Sequence, residues 1–256
     1  MSLVDLGRTR TAGDVLSGTF GLFFARAPLF LTLTLAVVAP FVVIVDGIWG
    51  GGLADAADAN VPDAAAAISA LGTAILLPPL VTALHVVAVQ ALGRGEEPDI
   101  GEAFRRAAPA FAPAVLVVLL YAVAVAVGFV LLIIPGIWLS VRWYFGAQAV
   151  AAEGRRVGAA FTRSEQLVKG SWWRVLGILL LVGLIAGIPI AIVSAGVDQI
   201  GSGPLYVTAR VIVTTVQLSI TAIAGTLLFF DLRVRKEPAP APEQPLPGGF
   251  LPPTAS

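Results

Sequence analysis

The chain has no cysteine and a single histidine among 256 residues. Without thiols there is no disulfide, no thiolate metal site and no cysteine nucleophile, and one imidazole leaves too little for most metal or acid–base chemistry. Charge is scarce as well, at 12% of residues, and 16 Lys and Arg are balanced by 16 Asp and Glu. A net charge of zero gives no strongly basic face, which excludes a nucleic-acid protein. His-Glu-x-x-His, Walker-type and Gly-x-Ser-x-Gly patterns are all missing, so an enzyme is disfavoured and the sequence implies no metal and no cofactor. What remains is apolar: 57% hydrophobic residues and a mean hydropathy of +0.91, where soluble domains run at about 45–50% apolar and ~25% charged. The composition is that of an integral membrane protein.

A hydrocarbon core about 30 Å thick needs roughly 20 apolar residues per helix. Six runs qualify: Leu29–Ile48, Ala66–Leu92, Ala112–Ile134, Ile137–Ala152, Trp173–Ala195 and Tyr206–Leu232. They predict an all-α, six-helix transmembrane domain over residues 1–236, arranged as three hairpins, followed by a proline-rich, disordered tail over 237–256. Pro78-Pro79 predicts a kink in the second span. Pro135-Gly136 reads as the tight turn between the third and fourth. The fourth is short and carries Arg142, so a re-entrant segment is the alternative there.

Fourteen of the sixteen basic residues fall before the first span, between the second and third, between the fourth and fifth or at its start, and after the sixth. The opposite loops carry only Asp55, Asp58, Asp63 and Asp198. Lys- and Arg-rich short loops stay cytoplasmic, so both termini are expected inside. Asp5 and Asp14 interrupt the N-terminal stretch and argue against a cleaved signal peptide.

Three cytoplasmic segments resemble one another: Gly13-Asp14-Val15-Leu16, Gly101-Glu102-Ala103-Phe104 and Gly158-Ala159-Ala160-Phe161. Apolar residues such as Val15, Leu16, Phe20, Phe23 and Phe24 fall on one helical face of the first, and Val157, Phe161, Leu167 and Val168 on one face of the third. Arginines flank each, the pattern of an interfacial helix lying in the headgroup plane. The sequence therefore predicts three copies of one unit, an in-plane helix followed by a transmembrane hairpin.

Ionisable side chains inside a span are default site candidates. Arg142 and Arg210 are placed at similar depth near the outer ends of the fourth and sixth spans, with Asp46 and Asp198 close by. These four either pair locally and fix helix orientation, or form a pocket for an anionic headgroup. Thr208, Thr214, Thr215, Gln217, Ser219, Thr221 and Thr226 make the sixth span the most polar, a pattern expected of a bundle-facing helix or, alternatively, of a polar lining to a substrate path. His85, Gln90, Tyr121 and Gln148 look scattered.

The stretch Ile133-Ile134-Pro135-Gly136-Ile137-Trp138-Leu139-Ser140-Val141-Arg142, then Glu153-Gly154, Ala160-Phe161-Thr162-Arg163-Ser164, Leu167-Val168-Lys169-Gly170-Ser171-Trp172-Trp173 and Thr226 to Glu237 with Asp231 and Arg233, resembles the membrane domain of glycerophosphoryl diester phosphodiesterases and its stand-alone bacterial relatives. The resemblance covers the second half by motif and the first half by hydropathy alone. It implies a bacterial cytoplasmic-membrane protein and no hydrolase activity, because the histidines and carboxylates of a phosphodiesterase barrel are absent. It also singles out Pro135, Gly136, Arg142, Glu153, Arg163, Asp231 and Arg233 as motif residues. Asp231 and Arg233 point along nearly opposite faces, so Asp231 is expected to pair with another helix through Arg163 or Lys169.

Together these readings predict a non-enzymatic membrane module that binds or moves a lipid-like or anionic amphipathic substrate, with membrane lipids as partners and Arg142 and Arg210 as headgroup contacts. The alternatives are a scaffold or complex subunit docking a protein partner on its cytoplasmic face, and, more weakly, an intramembrane enzyme.

Overall fold

The computed structural model describes residues 4–49 and 63–237. The predicted acidic residues Asp55 and Asp58, and the predicted tail from residue 238 onward, lie outside them. Among the described residues the elements are all helical: α1 (Ala12–Ala25), α2 (Ala27–Trp49), α3 (Ala67–Gly93), α4 (Ile100–Leu131), α5 (Ile133–Arg142), α6 (Gly146–Glu153), α7 (Val157–Val168), α8 (Trp172–Asp198) and α9 (Pro204–Lys236). Among the described residues α2, α3, α4, α8 and α9 are the five helices long and apolar enough to cross a membrane, and the chain is a multi-pass membrane protein.

The helix starts follow from local chemistry. Thr11 and Asp14 form a reciprocal capping box on α1, with Thr11 Oγ1 accepting from the Asp14 N–H at 3.1 Å and Asp14 Oδ2 from the Thr11 N–H at 2.9 Å. Asp99 caps α4 by accepting from the Glu102 N–H at 2.9 Å. Gly154, at φ +62°, closes α6 in the left-handed conformation. The predicted in-plane helices are separate elements in two of three cases, α1 and α7. The middle one, around Gly101, is continuous with its span in the 32-residue α4, which Asp99 caps at its start and which runs through Pro109 and Pro113 without a break. On α1 the buried face is Val15, Thr19, Leu22 and Phe23, and Phe24 is exposed.

Proline explains two wide turns. A helical proline drives its ring against the carbonyl four residues earlier. For Pro78, Pro79 and Pro189 those carbonyls belong to Ala74, Ile75 and Ile185, inside the π-helical segments Gly72–Leu76 and Gly183–Gly187. Opening the turn by one residue relieves the clash. The expected kink in the second span thus takes the form of a π segment just before the proline pair. A third π segment, Val43–Trp49, ends α2 and carries Asp46.

The predicted fourth span, 137–152, is a broken helix and is not among the five. The reversal after α4 is made by the single extended residue Leu132 (φ −164°, ψ 146°), not by Pro135-Gly136. Those two lie in the first turn of α5, where a missing N–H leaves no intrahelical bond unmade. Gly136 serves close approach instead: a Cβ on Gly128 of α4 would lie 3.0 Å from its Cα. Further along the pair, the Tyr121 hydroxyl donates to the Ser140 carbonyl at 3.2 Å, and a Cβ on Gly146 would fall 2.5 Å from Val117. The segment α5–α6 therefore runs back along α4.

α9 is the axis of the bundle and contributes to all three apolar clusters. One cluster centres on Phe145 and Phe229, with ring centroids 6.3 Å apart. Another, against α2 and α3, surrounds a polar knot: the Thr34 and Ser219 hydroxyls lie 2.7 Å apart, and His85 stacks on Phe30 at 5.1 Å with Nδ1 2.9 Å from the Val81 carbonyl. Of the seven polar residues of the sixth span, Thr215, Ser219 and Thr226 are buried in the bundle, Thr214 is half-buried, and Thr208, Gln217 and Thr221 are exposed, so only one face of α9 is bundle-facing over its polar stretch. Large exposed apolar side chains concentrate on α4, α5 and α8, with Val130 and Ile134 the most exposed; these faces suit hydrocarbon.

Candidate functional site

The break between α5 and α6 builds the site. Trp143, Tyr144 and Phe145 form a turn, which frees backbone groups that have no water to turn to inside an apolar bundle. Ser164 of α7 takes them both. Its hydroxyl donates to the Arg142 carbonyl at 2.8 Å and accepts from the Phe145 N–H at 3.1 Å. The next residue, Glu165, accepts from Trp143 Nε1 at 2.8 Å and pairs with Arg142 Nε at 3.0 Å. The Arg142 guanidinium also sits 4.4 Å from the Trp138 ring centroid, within cation–π range.

These groups face a cavity of about 440 Å³ whose walls include Trp138, Arg142, Glu165, Lys169 and Trp172. Trp172 Nε1 donates to the Trp138 carbonyl at 3.3 Å and fixes the two indoles against each other. The wall carries two cations and one carboxylate, a surplus of one positive charge, and Lys169 makes no ion pair among the described residues. Hydrogen bonds from Arg142 first, then from Trp143, hold the Glu165 carboxyl below its ordinary range, so the carboxylate stays charged at neutral pH.

The four charges expected together divide into two places. Arg210 Nε donates to Asp46 at 3.0 Å and Arg210 Nη1 to Asp198 at 3.2 Å. Two carboxylates thus neutralise one guanidinium, and the adjacent cavity of about 20 Å³ has room for little more than a water. Arg142 joins neither aspartate. It is held by Glu165, because the chain breaks beside it and turns it toward α7.

The inner motif residues form two further groups. Glu153 accepts from Arg163 Nη2 at 2.8 Å and from Arg155 Nε at 3.0 Å, and Arg163 also pairs with Glu237 at 2.8 Å. Burial works to raise the Glu153 carboxyl, but the bonds from Arg163 and Arg155 outweigh it and hold the group low. The expected pairing of Asp231 with Arg163 or Lys169 is not formed. Fully buried, Asp231 takes the Arg10 N–H at 2.5 Å, Arg174 Nη2 at 2.9 Å and Arg235 Nε at 3.0 Å. Arg163 is unavailable because Glu153 and Glu237 hold it.

Two of the side chains that look scattered in sequence converge. Tyr121 and Gln148 line a cavity of about 180 Å³ with Thr82, Trp143, Tyr144 and Thr221, on the other flank of the break. Sequence reasoning missed Glu165, Trp138 and Trp172 as site residues. The available signal was a carboxylate on an otherwise basic in-plane helix, one residue after the Ser of the Phe161–Ser164 motif. Among the described residues no group of three His, Cys, Asp or Glu could hold a metal ion. No family model, no curated protein and no solved structure matches the chain.

Proposed function

We propose that this chain is a bacterial inner-membrane protein with six crossings and both termini cytoplasmic, and that it binds an anionic lipid headgroup in the cavity of Arg142, Lys169, Trp138 and Trp172. The six-crossing arrangement is supported by the return of α5–α6 along α4 and by the segregation of arginines to alternate connections. The observation that carries the binding reading is the cavity's composition, a net positive wall flanked by two indoles. Basic pockets between helices on the cytoplasmic side take phospholipid headgroups; Lys169 and Trp172 of the wall belong to the basic connection that the arginine distribution places on that side, so the Arg142 side chain serves the inner level and not the outer one expected of it. Tryptophan favours the headgroup level, and about 440 Å³ falls in the range of ligand pockets. Of the two arginines expected as contacts, Arg142 fits this role. Arg210 does not, being matched by Asp46 and Asp198.

The test is binding in nanodiscs doped with phosphatidylglycerol against nanodiscs of phosphatidylcholine alone, followed by native mass spectrometry of retained lipid. The parent chain should retain the anionic lipid, and the double variant Arg142→Gln, Lys169→Gln should lose the discrimination while keeping its unfolding temperature. Equal retention by parent and variant would overturn the reading.

A further inference from the structure

A second cluster of positive charge lies at the N-terminal arm and shares no residue with the Arg142 cavity. Its centre is the buried Asp231. Arg174 Nη2 and Arg235 Nη2 bond the Arg10 carbonyl at 2.5 and 2.7 Å as well as serving the carboxylate, so two guanidinium groups and the Arg10 backbone N–H share one acid. Their donors outnumber the acceptors. Arg10 Nη1 and Arg174 Nε are buried with no hydrogen-bond partner among the described residues. A buried N–H without an acceptor costs about 1–3 kcal/mol, and more when the group is charged. Such groups in native proteins are accounted for by local strain, an ordered water, an ion or a ligand.

There is room for one. Arg10, only 4% exposed, lines a cavity of about 490 Å³ together with Arg8, Ser17, Gly18, Gly21 and Leu227. Asp5 and Asp14 also reach its wall, but each already accepts a backbone N–H, from Gly7 at 2.8 Å and from Thr11 at 2.9 Å. Arg8 is exposed and has no ion pair among the described residues. On the wall itself Arg8 and Arg10 balance Asp5 and Asp14, and the surplus of one positive charge lies behind it, where Arg174 and Arg235 bond the Arg10 carbonyl and share the single carboxylate of Asp231. The small side chains at 17, 18 and 21 leave a groove on α1 that leads toward Leu22 and Leu227.

We propose that this cavity binds a phosphate group through Arg8 and Arg10. Guanidinium forks match phosphate oxygens in geometry and charge, and of the two unpartnered donors the one on Arg10, which lines the cavity, is the one such a ligand serves. The phosphate comes either on a phospholipid, whose chain would follow the groove of Gly18 and Gly21, or on a soluble molecule. The test uses the full chain carrying Arg142→Gln and Lys169→Gln, so that the other cavity is silent and the two proposals fail separately. Inorganic phosphate is titrated into the detergent-solubilised protein, and phosphatidylglycerol is supplied in parallel in nanodiscs; both are followed by phosphorus NMR line width and by the unfolding temperature. Saturable binding of phosphate identifies a soluble ligand, and saturation by phosphatidylglycerol alone identifies a headgroup. In either case Arg8→Gln should weaken binding about tenfold and Arg10→Gln should abolish it. If Arg10→Gln does not fold, Arg8→Gln decides alone, because that side chain is exposed. Saturation by neither probe, or parent affinity in Arg8→Gln, would overturn the proposal.

Discussion

Ser164 does the work that water does in a soluble protein. Its one hydroxyl meets both backbone groups that the turn at Trp143–Phe145 sets free. Ser164→Ala should therefore destabilise the fold by about 1–3 kcal/mol, with Thr restoring most of the loss, measured by denaturant unfolding in detergent. Glycine gives a contrast of sign. Gly128→Ala sets a methyl 3.0 Å from the Gly136 backbone and should cost about 1–3 kcal/mol as α4 and α5 separate. Gly177→Ala, in α8 with nothing within 4 Å of the new methyl, should stabilise by about 0.5–1 kcal/mol through helix propensity. Glu153 sets an acid limit. Its carboxyl is held below the usual range by Arg163 and Arg155, so its contribution is complete above the unfolded-state value of about 4.3. That contribution is lost as pH falls through the lower folded-state value. Unfolding temperature should drop in that window for the parent chain, and Glu153→Gln should be less stable at neutral pH with a flatter acid limb.

Among the elements, the long apolar helices were legible because hydropathy over about 20 residues decides them. Proline positions were legible too, but not the form of the response, since π-widening and kinking answer the same clash. If the clash is the cause, Pro189→Ala should return Gly183–Gly187 to α-helical spacing, visible as a one-residue change in amide-exchange periodicity along α8. The break after Arg142 was not legible. Arg142 to Phe145 contains neither Gly nor Pro, and the group that stabilises the turn lies 19 to 22 residues away in sequence. The site suffered the same limit. Arg142 could be picked out as a charge inside an apolar run, whereas its partner Glu165 depends on how α7 folds back over the break. For Asp231 the expectation of a partner on another element was sound and the identity of that partner was not. Arg10 and Arg174 reach it from segments more than fifty residues distant.

At the scale of the whole molecule, the absence of cysteine makes the sidedness directly measurable. Single cysteines at Arg156, Leu132 and Gln199 can each be labelled with a membrane-impermeant maleimide. Six crossings require Leu132→Cys and Gln199→Cys to react from one side of the membrane and Arg156→Cys from the other. Labelling of Leu132→Cys from the Arg156 side would leave α4 to α6 without a full crossing.

The divided return helix also constrains how the chain is made. α5 has 10 residues and α6 has 8, about 15 and 12 Å long, and neither alone meets the length that the insertion machinery recognises in a nascent chain. α4 must therefore still be at hand to receive them. If α5–α6 makes the proposed crossing, the turn between them keeps its orphaned backbone until Ser164 is in place, and partition into lipid waits on α7. Residues 100–168 would then be a single unit of biogenesis, and a chain truncated before Ser164 and released from the ribosome should leave α5 and α6 accessible to protease while α2 and α3 are protected.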